Sequence, residues 1–419
     1  MTERKYFNAA VLKAELDGYV LGQDEGAKRV AMGVTSHLYR IAAYERNEHS
    51  RIRKDNMMLA GPTGCGKTET FRVLKSLEEK LGIPVIMRNA PDYTPNDSWK
   101  GSKDLSCLVT DLCREAVDLF TRLRHTPCTE ADFDEVCRMA GNGIILLDEF
   151  DKLRIIEGAG TNSFCRDYQA ALLKMTEGGE YPAGQVKLGN RYYEEDDENQ
   201  HELKVNTSGV MFVFLGAFDG MERITRNRLL AEQRGQETHE RHEAEAVSGG
   251  IGFTAKLKPT SCKADNHADK DELPPDADLT PNLEDMIDYG IMRELAGRIA
   301  IRINYKALSV DNLVKIMKES KTSVFHEYQE RFENMGHKLT LDYAAFQEIA
   351  RRATEKKTGA RGLSNIFSDL LFTAMYTLSG TAEPTECLLR GSDIKQKRPP
   401  VLRRMEVPRR NQIDGKNGF

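Results

Sequence analysis

The apolar positions of the chain change their rhythm about three quarters of the way along. Five short apolar runs, Met57 to Ala60, Pro84 to Met87, Gly143 to Leu147, Val210 to Leu215 and Ile299 to Ile303, alternate with stretches of helical periodicity. Runs of this kind read as strands buried on both faces, and helices between them imply a parallel sheet. The stretch after the first run places Phe71, Leu74, Leu77 and Leu81 on one helical stripe. Beyond Ser309 the pattern turns helical, with Leu313, Ile316 and Met317 and then Val324, Phe325, Tyr328 and Phe332. A last helix from about Gly362 carries Leu363, Ile366, Phe367, Leu370, Leu371, Ala374, Met375 and Leu378 on one face. The fold expected is α/β, a central parallel sheet flanked by helices, followed by a small, mostly helical domain.

Other segments break this rhythm. Residues 1 to about 52 read as helix, a short loop around Gly18 to Gln23, and a second, long helix. Tyr192 to Glu202 is strongly acidic, and Arg226 to Pro281 is charged, dotted with glycine and without apolar periodicity. From Gly391 the chain is basic and interrupted by proline. The expected division is a large domain at 1–305 with an exposed insertion at about 226–281, a small helical domain at 306–390, and a basic flexible tail at 391–419. At roughly 150 residues per domain, a 419-residue chain has room for this arrangement and for a substantial core.

Composition excludes several classes. Sixty Lys plus Arg against 65 Asp plus Glu leave a formal net charge of −5, so nothing draws the whole molecule to nucleic acid or to an anionic membrane. Its longest near-apolar runs, Ile144 to Leu147 and Val210 to Phe218, fall far short of the roughly 18 residues that cross a bilayer. The first twenty residues are charged throughout with no apolar signal core, which points to a cytoplasmic protein. Eight cysteines without a single CxxC pair argue against a zinc ribbon, and His239-Glu-Arg-His242 lacks the spacing of a metalloprotease helix.

Gly61-Pro62-Thr63-Gly64-Cys65-Gly66-Lys67-Thr68 matches the phosphate-loop pattern in full and lies between an apolar strand and an amphipathic helix. Glycines let backbone N–H groups close on phosphates, Lys67 neutralises their outer oxygens, and Thr68 offers a hydroxyl to Mg²⁺. Downstream, Gly143-Ile-Ile-Leu-Leu-Asp148-Glu149 is a buried strand ending in two carboxylates. Alone the pair could be a helix cap. With a phosphate loop upstream, Asp148 reads as a magnesium ligand and Glu149 as the group that positions and deprotonates the attacking water, and the chemistry is ATP hydrolysis.

The stretches YVLGQDEGAKRV, GPTGCGKT, IILLDEFDKL, QAALLKMTEG, FLGAF, GIGF, ELAGRI and KKTGARGL occur in this order. Through them the chain from about Val11 to Gly380 resembles the AAA+ ATPases and, more narrowly, the ClpX family of protein unfoldases. That resemblance implies that Val20 and Leu21 sit against adenine, that Arg298 is an arginine finger reaching a neighbouring subunit's ATP, and that Arg361 is a sensor arginine from the small domain. By their residues alone, Arg298 could equally form a structural salt bridge, and Arg361 opens a helix where a guanidinium can meet phosphate.

It further implies that Trp99, Lys100 and Gly101 form the pore loop that grips polypeptide, with Lys100 where the family has an aliphatic residue. A second pore loop would span Gly158 to Cys165, and Arg191 to Tyr193 would stand at the pore entrance, followed here by acidic residues. Ile251, Gly252 and Phe253 would dock a ClpP-type peptidase. No Cys-rich zinc-binding segment precedes the phosphate loop. The reading favoured is an ATP- and Mg²⁺-dependent unfoldase, a homohexamer that threads unfolded or tagged proteins through its pore into a ClpP-type peptidase. A remodelling chaperone without peptidase is the alternative, and a nucleic-acid motor is the least favoured.

Overall fold

The computed structural model describes residues 8–46, 52–95, 103–156, 158, 162–183, 186–188, 191–193, 204–248, 273–274 and 277–405. By its contacts the chain divides into two compact units. One comprises Met1–Thr35, Gly61–Leu81 and Tyr305–Phe419, the other Ser36–Ala60 and Gly82–Asn304.

The second unit holds the central sheet. Its strands are β1 (Asn56–Ala60), β2 (Val85–Asn89), β3 (Ile144–Asp148), β4 (Met211–Leu215) and β5 (Ile299–Asn304), in the spatial order β5-β1-β4-β3-β2. Every pairing is parallel, with Met57 opposite Val213, Phe212 opposite Ile145, and Ile86 opposite Ile145 on its other side. All five strands expected from the apolar runs are present. Every residue of β1 and β4 is buried, which is why these runs carry no alternation. Helix Cys107–Arg124 buries Leu108, Leu112, Ala116 and Phe120, and Asn162–Glu177 buries Tyr168, Leu172 and Met175. Phe150, just after β3, packs its ring 4.7 Å from that of Phe214. Burying a ring of this size contributes about 1.5–3 kcal/mol.

Helix Met221–Ser248 runs well into the segment expected to be an aperiodic insertion. Its composition explains this: Arg, Glu, Gln and Ala are good helix formers, and Glu222–Arg226 (3.1 Å) and Arg228–Glu232 (2.9 Å) pair at i, i+4. Tertiary anchoring adds to it. Arg228 grips Asp285 through both carboxylate oxygens at 2.9 and 3.0 Å, and Thr225 Oγ1 donates to the same group at 3.0 Å. Burial opposes ionisation of Asp285, yet the Arg228, Asn282 and Thr225 hydrogen bonds hold its carboxyl below the ordinary value.

In the first unit, helices Ala9–Asp17 and Lys67–Ser76 join Val310–Glu319, Val324–Asn334, Tyr343–Glu355 and Arg361–Ser379. Ser309, Ser323 and Asp342 cap three of them through side-chain oxygens that accept from backbone N–H groups. Phe332, Ile349, Phe367 and Leu371 form the core, with the Tyr328 ring stacked on Phe367 at 5.5 Å. A small sheet accompanies the helices: β6 (Lys338–Leu341), β7 (Thr385–Leu389) and β8 (Val401–Arg404), the first pair parallel and the second antiparallel. The tail expected from Gly391 is corrected here. Gly391–Lys395 is helical, and β8 pairs with β7 through the register Leu388 to Val401 and Cys387 to Leu402, so residues up to Arg404 belong to the folded unit. Charge misled because β8 is an edge strand, where arginines can face water. Among the described residues, no helix is long and apolar enough to cross a membrane.

Candidate nucleotide-binding site

The loop from Gly61 to Thr68 is built around backbone that L-residues rarely adopt. Gly64 (φ 76°) and Gly66 (φ 103°) are left-handed. Helix Lys67–Ser76 starts immediately after Gly66, and no side chain caps it. Its first N–H groups therefore face the loop as anion donors, aided by the helix dipole. The Lys67 ammonium is buried and folds over the loop, donating to the Gly61 carbonyl and, at 2.9 Å, to that of Pro62.

Residues from far along the chain close on this loop. The Ala360 N–H donates to the Gly64 carbonyl at 2.9 Å, and the Arg361 guanidinium donates to Thr68 Oγ1 at 3.2 Å. A Cβ on Gly64 would collide with the Thr358 carbonyl and come within 3.1 Å of the Ala360 nitrogen. On another side the Val20 side chain is buried and lies 3.0 Å from where a Cβ on Gly66 would stand, while Leu21 is half-buried. Gln23, also buried, donates to the carbonyls of Cys65 (3.1 Å) and Lys306 (2.8 Å) and accepts from the Lys306 N–H at 3.0 Å. Tyr305 shares a 2.9 Å hydrogen bond with Thr70. Burial raises the Cys65 thiol above its ordinary value, with Lys67 acting against it. Two cations, a helix N-terminus and a left-handed glycine turn can receive a polyphosphate. The Thr68 hydroxyl is a hard oxygen of the kind that Mg²⁺ takes.

In the second unit, β3 ends in Asp148, whose Oδ1 accepts from the Glu149 N–H at 2.8 Å. Glu149 is left-handed (φ 58°, ψ 26°), a conformation that costs a non-glycine residue about 1–2 kcal/mol. It opens the 3₁₀ turn Phe150–Leu153, held down by buried Phe150 and Leu153, and its carboxylate accepts from Lys152 at 2.5 Å. That hydrogen bond raises the Lys152 ammonium above its ordinary value.

Arg298 precedes β5. Its side chain is exposed and pairs with Glu177 at 2.5 Å, while its carbonyl accepts from Asn56 Nδ2 at 2.9 Å. Because all five strands are parallel, Arg298 lies at the edge of the sheet where strands begin, whereas Asp148 and Ala60 lie at the edge where they end. A strand of five residues spans about 17 Å, so Arg298 and Asp148 of one chain stand on opposite sides of the sheet.

Trp99, Lys100, Gly101, Ile251, Gly252 and Phe253 lie outside the described residues. Residues 159–161 of the expected second pore loop also lie outside them, and its last four residues open the helix Asn162–Glu177, while Arg191–Tyr193 pairs antiparallel with Val186–Leu188. Gln23, Tyr305, Lys152, Asn56 and Glu177 were not singled out from the sequence. Each acts through partners remote in the chain or through a local turn; Gln23, Lys152 and Glu177 fall within the matching stretches, but a stretch of sequence does not name the partner each side chain meets.

A phosphate loop after a buried parallel strand, a strand ending in Asp-Glu, and a helical C-terminal region define a nucleoside-triphosphatase of the AAA type. Residues 53–302 match the family described as AAA domain (Cdc48 subfamily), and residues 308–383 match the C-terminal, D2-small domain, of ClpB protein. The chain is 30% identical over 370 residues to the ATP-dependent Clp protease ATP-binding subunit ClpX of Treponema denticola, covering 87% of this chain and 76% of that protein. It is 27% identical over 379 residues to the protein of the same name from Porphyromonas gingivalis, covering 89% and 78%. The chain belongs to the ClpX family of AAA+ ATPases. It is an enzyme that binds nucleotide and hydrolyses ATP.

Proposed function

We propose that this ATPase is the motor subunit of an unfolding machine: a homohexamer in the cytoplasm that pulls unfolded or tagged proteins through its pore and delivers them to a ClpP-type peptidase. The observation that carries the reading is the placement of Arg298 at the sheet edge opposite Asp148, within a chain matched along most of its length by ClpX proteins. In this reading ATP binds beside Asp148, at the far edge of the sheet from Arg298, so the γ-phosphate that Arg298 meets belongs to another copy. In this reading Lys67, the loop N–H groups and Arg361 hold the phosphates, Val20 and Leu21 contact adenine, Thr68 and Asp148 hold Mg²⁺, and Glu149 activates water. When bound, the metal would shield phosphate charge in the transition state. Trp99, Lys100 and Gly101 grip the substrate, and Ile251, Gly252 and Phe253 dock the peptidase, six weak contacts acting together through effective concentration.

Co-sedimentation with a ClpP-type peptidase in the presence of a slowly hydrolysed ATP analogue tests this. Hexamers that carry the peptidase down, and degrade a stable tagged domain when ATP is supplied, support it. ATP-dependent unfolding without any peptidase association would make the protein a free-standing remodelling chaperone. DNA-stimulated hydrolysis with steep salt dependence would make it a nucleic-acid motor.

A further inference from the structure

The Arg298–Glu177 pair is braced in a way that surface ion pairs rarely are. Both side chains are exposed, 54% and 43%, so water screens the attraction and the pair by itself adds little stability. Yet both partners are held from one short stretch at the start of β1. Asn56, 2% exposed, donates from Nδ2 to the Arg298 carbonyl at 2.9 Å and accepts at Oδ1 from the Phe212 N–H at 3.1 Å. Two residues earlier, Lys54 Nζ donates to the carbonyls of Thr176 (2.8 Å) and Thr207 (3.1 Å), fixing the end of the helix that terminates at Glu177. Thr207 Oγ1 adds a hydrogen bond to the Met175 carbonyl at 3.0 Å.

Arg298 and Glu177 line a cavity of about 1230 Å³ whose walls carry both signs of charge, with Arg53 and Arg138 beside Glu45, Asp55 and Asp134. Of these carboxylates, Glu177 is the one hydrogen-bonded to the Arg298 guanidinium. Of the five N–H donors that an arginine carries, the contact with Glu177 engages one, on NH2.

We propose that Glu177 is a positioning residue for Arg298. Its carboxylate, fixed at the end of a helix anchored by Lys54, holds the exposed guanidinium through that one hydrogen bond in the orientation that a second copy's polyphosphate meets. It then yields the guanidinium to that ligand, because a screened single contact is weaker than a bidentate, charge-assisted one to phosphate. This rests on the reading of Arg298 as a finger acting on a neighbour's ATP.

The test compares wild type, Glu177→Gln, Glu177→Asp, Arg298→Ala and the double variant Glu177→Gln/Arg298→Ala, all as assembled oligomers, by steady-state ATP hydrolysis and thermal melting. Glu177→Gln should lower kcat roughly ten- to a hundredfold, up to the scale of a catalytic group misplaced by about 1 Å, with KM for ATP and the melting temperature nearly unchanged. Glu177→Asp, which keeps the charge, should recover much of that loss. The double variant should be no slower than Arg298→Ala alone, because Glu177 acts only through that side chain. If Arg298→Ala abolishes hydrolysis while Glu177→Gln turns over at the wild-type rate, the positioning role is wrong and the finger stands. A Glu177→Gln loss that appears only with a lower melting temperature, or that Asp does not relieve, also overturns it. If Arg298→Ala itself hydrolyses ATP normally, the finger reading fails and takes this one with it.

Discussion

The guanidinium of Arg361 stands 3.2 Å from the hydroxyl of Thr68, across 293 positions of sequence. Thr68 is the second residue of the helix that follows the phosphate loop, and Arg361 is the first residue of the helix Arg361–Ser379. Two helix N-termini thus meet with a hydroxyl and a fixed positive charge between them, a disposition suited to the distal end of a polyphosphate.

From this contact, Arg361→Ala should leave the fold intact but cut ATP turnover at least tenfold, since a charge-assisted phosphate contact is worth about 1.5–3 kcal/mol. Lys67→Ala should go further and weaken nucleotide binding itself. Titration with a fluorescent ATP analogue, beside circular dichroism, separates the two. Wild-type turnover in Arg361→Ala would remove it from the site.

Glu149→Gln should bind ATP with near-normal affinity and hydrolyse it at least a hundredfold more slowly, because the amide cannot take a proton from water. Its neighbour Asp148 is untouched by the change. Single-turnover hydrolysis after equilibrium binding is the measurement, and a rate near wild type would assign the base elsewhere.

Gly64→Ala probes the seam between the loop and the turn Thr358–Arg361. The added methyl meets the Thr358 carbonyl, and alanine at φ 76° is strained even in open space. Left-handed strain of about 1–2 kcal/mol plus the clash should lower the melting temperature and weaken nucleotide binding together. Gly336→Ala has the same sign of φ (80°) with nothing within 4 Å, so it should cost stability alone.

His37 gives a signed pH dependence. Burial, then the nearby charge of Arg40, depress its imidazole to about 3. Nε2 lies 2.8 Å from the Asn142 carbonyl and Nδ1 lies 3.3 Å from Arg40, which suits the neutral ring with its proton on Nε2. Below the unfolded pKa near 6.5 the unfolded chain binds a proton that the folded one refuses, so stability falls as pH drops from 6.5 towards 3. Between pH 7.5 and 5.0 this one group should cost about 2 kcal/mol. Denaturant melts of wild type and His37→Gln at both pH values should differ by that amount in their pH response. Equal responses would mean the ring is protonated in the native state.

Local chemistry determined much of this protein from its sequence. The five strands are legible because a strand buried on both faces must be apolar along its whole length, and the phosphate loop because its glycines answer a backbone requirement at fixed spacing. The Asp148-Glu149 pair is legible because it ends such a strand. Tertiary structure decided the rest. That Gln23, Tyr305 and Ala360 close on the loop, that Glu177 faces Arg298, and that Val401–Arg404 adds a strand beside Thr385–Leu389 all depend on contacts between residues distant in the chain. No periodicity records such contacts, because the free energy that selects them comes from packing and hydrogen bonding that exist only once the chain has folded back on itself. The same holds for Arg298: its residue type allows a salt bridge or a finger, and only the parallel order of the strands places it across the sheet from Asp148.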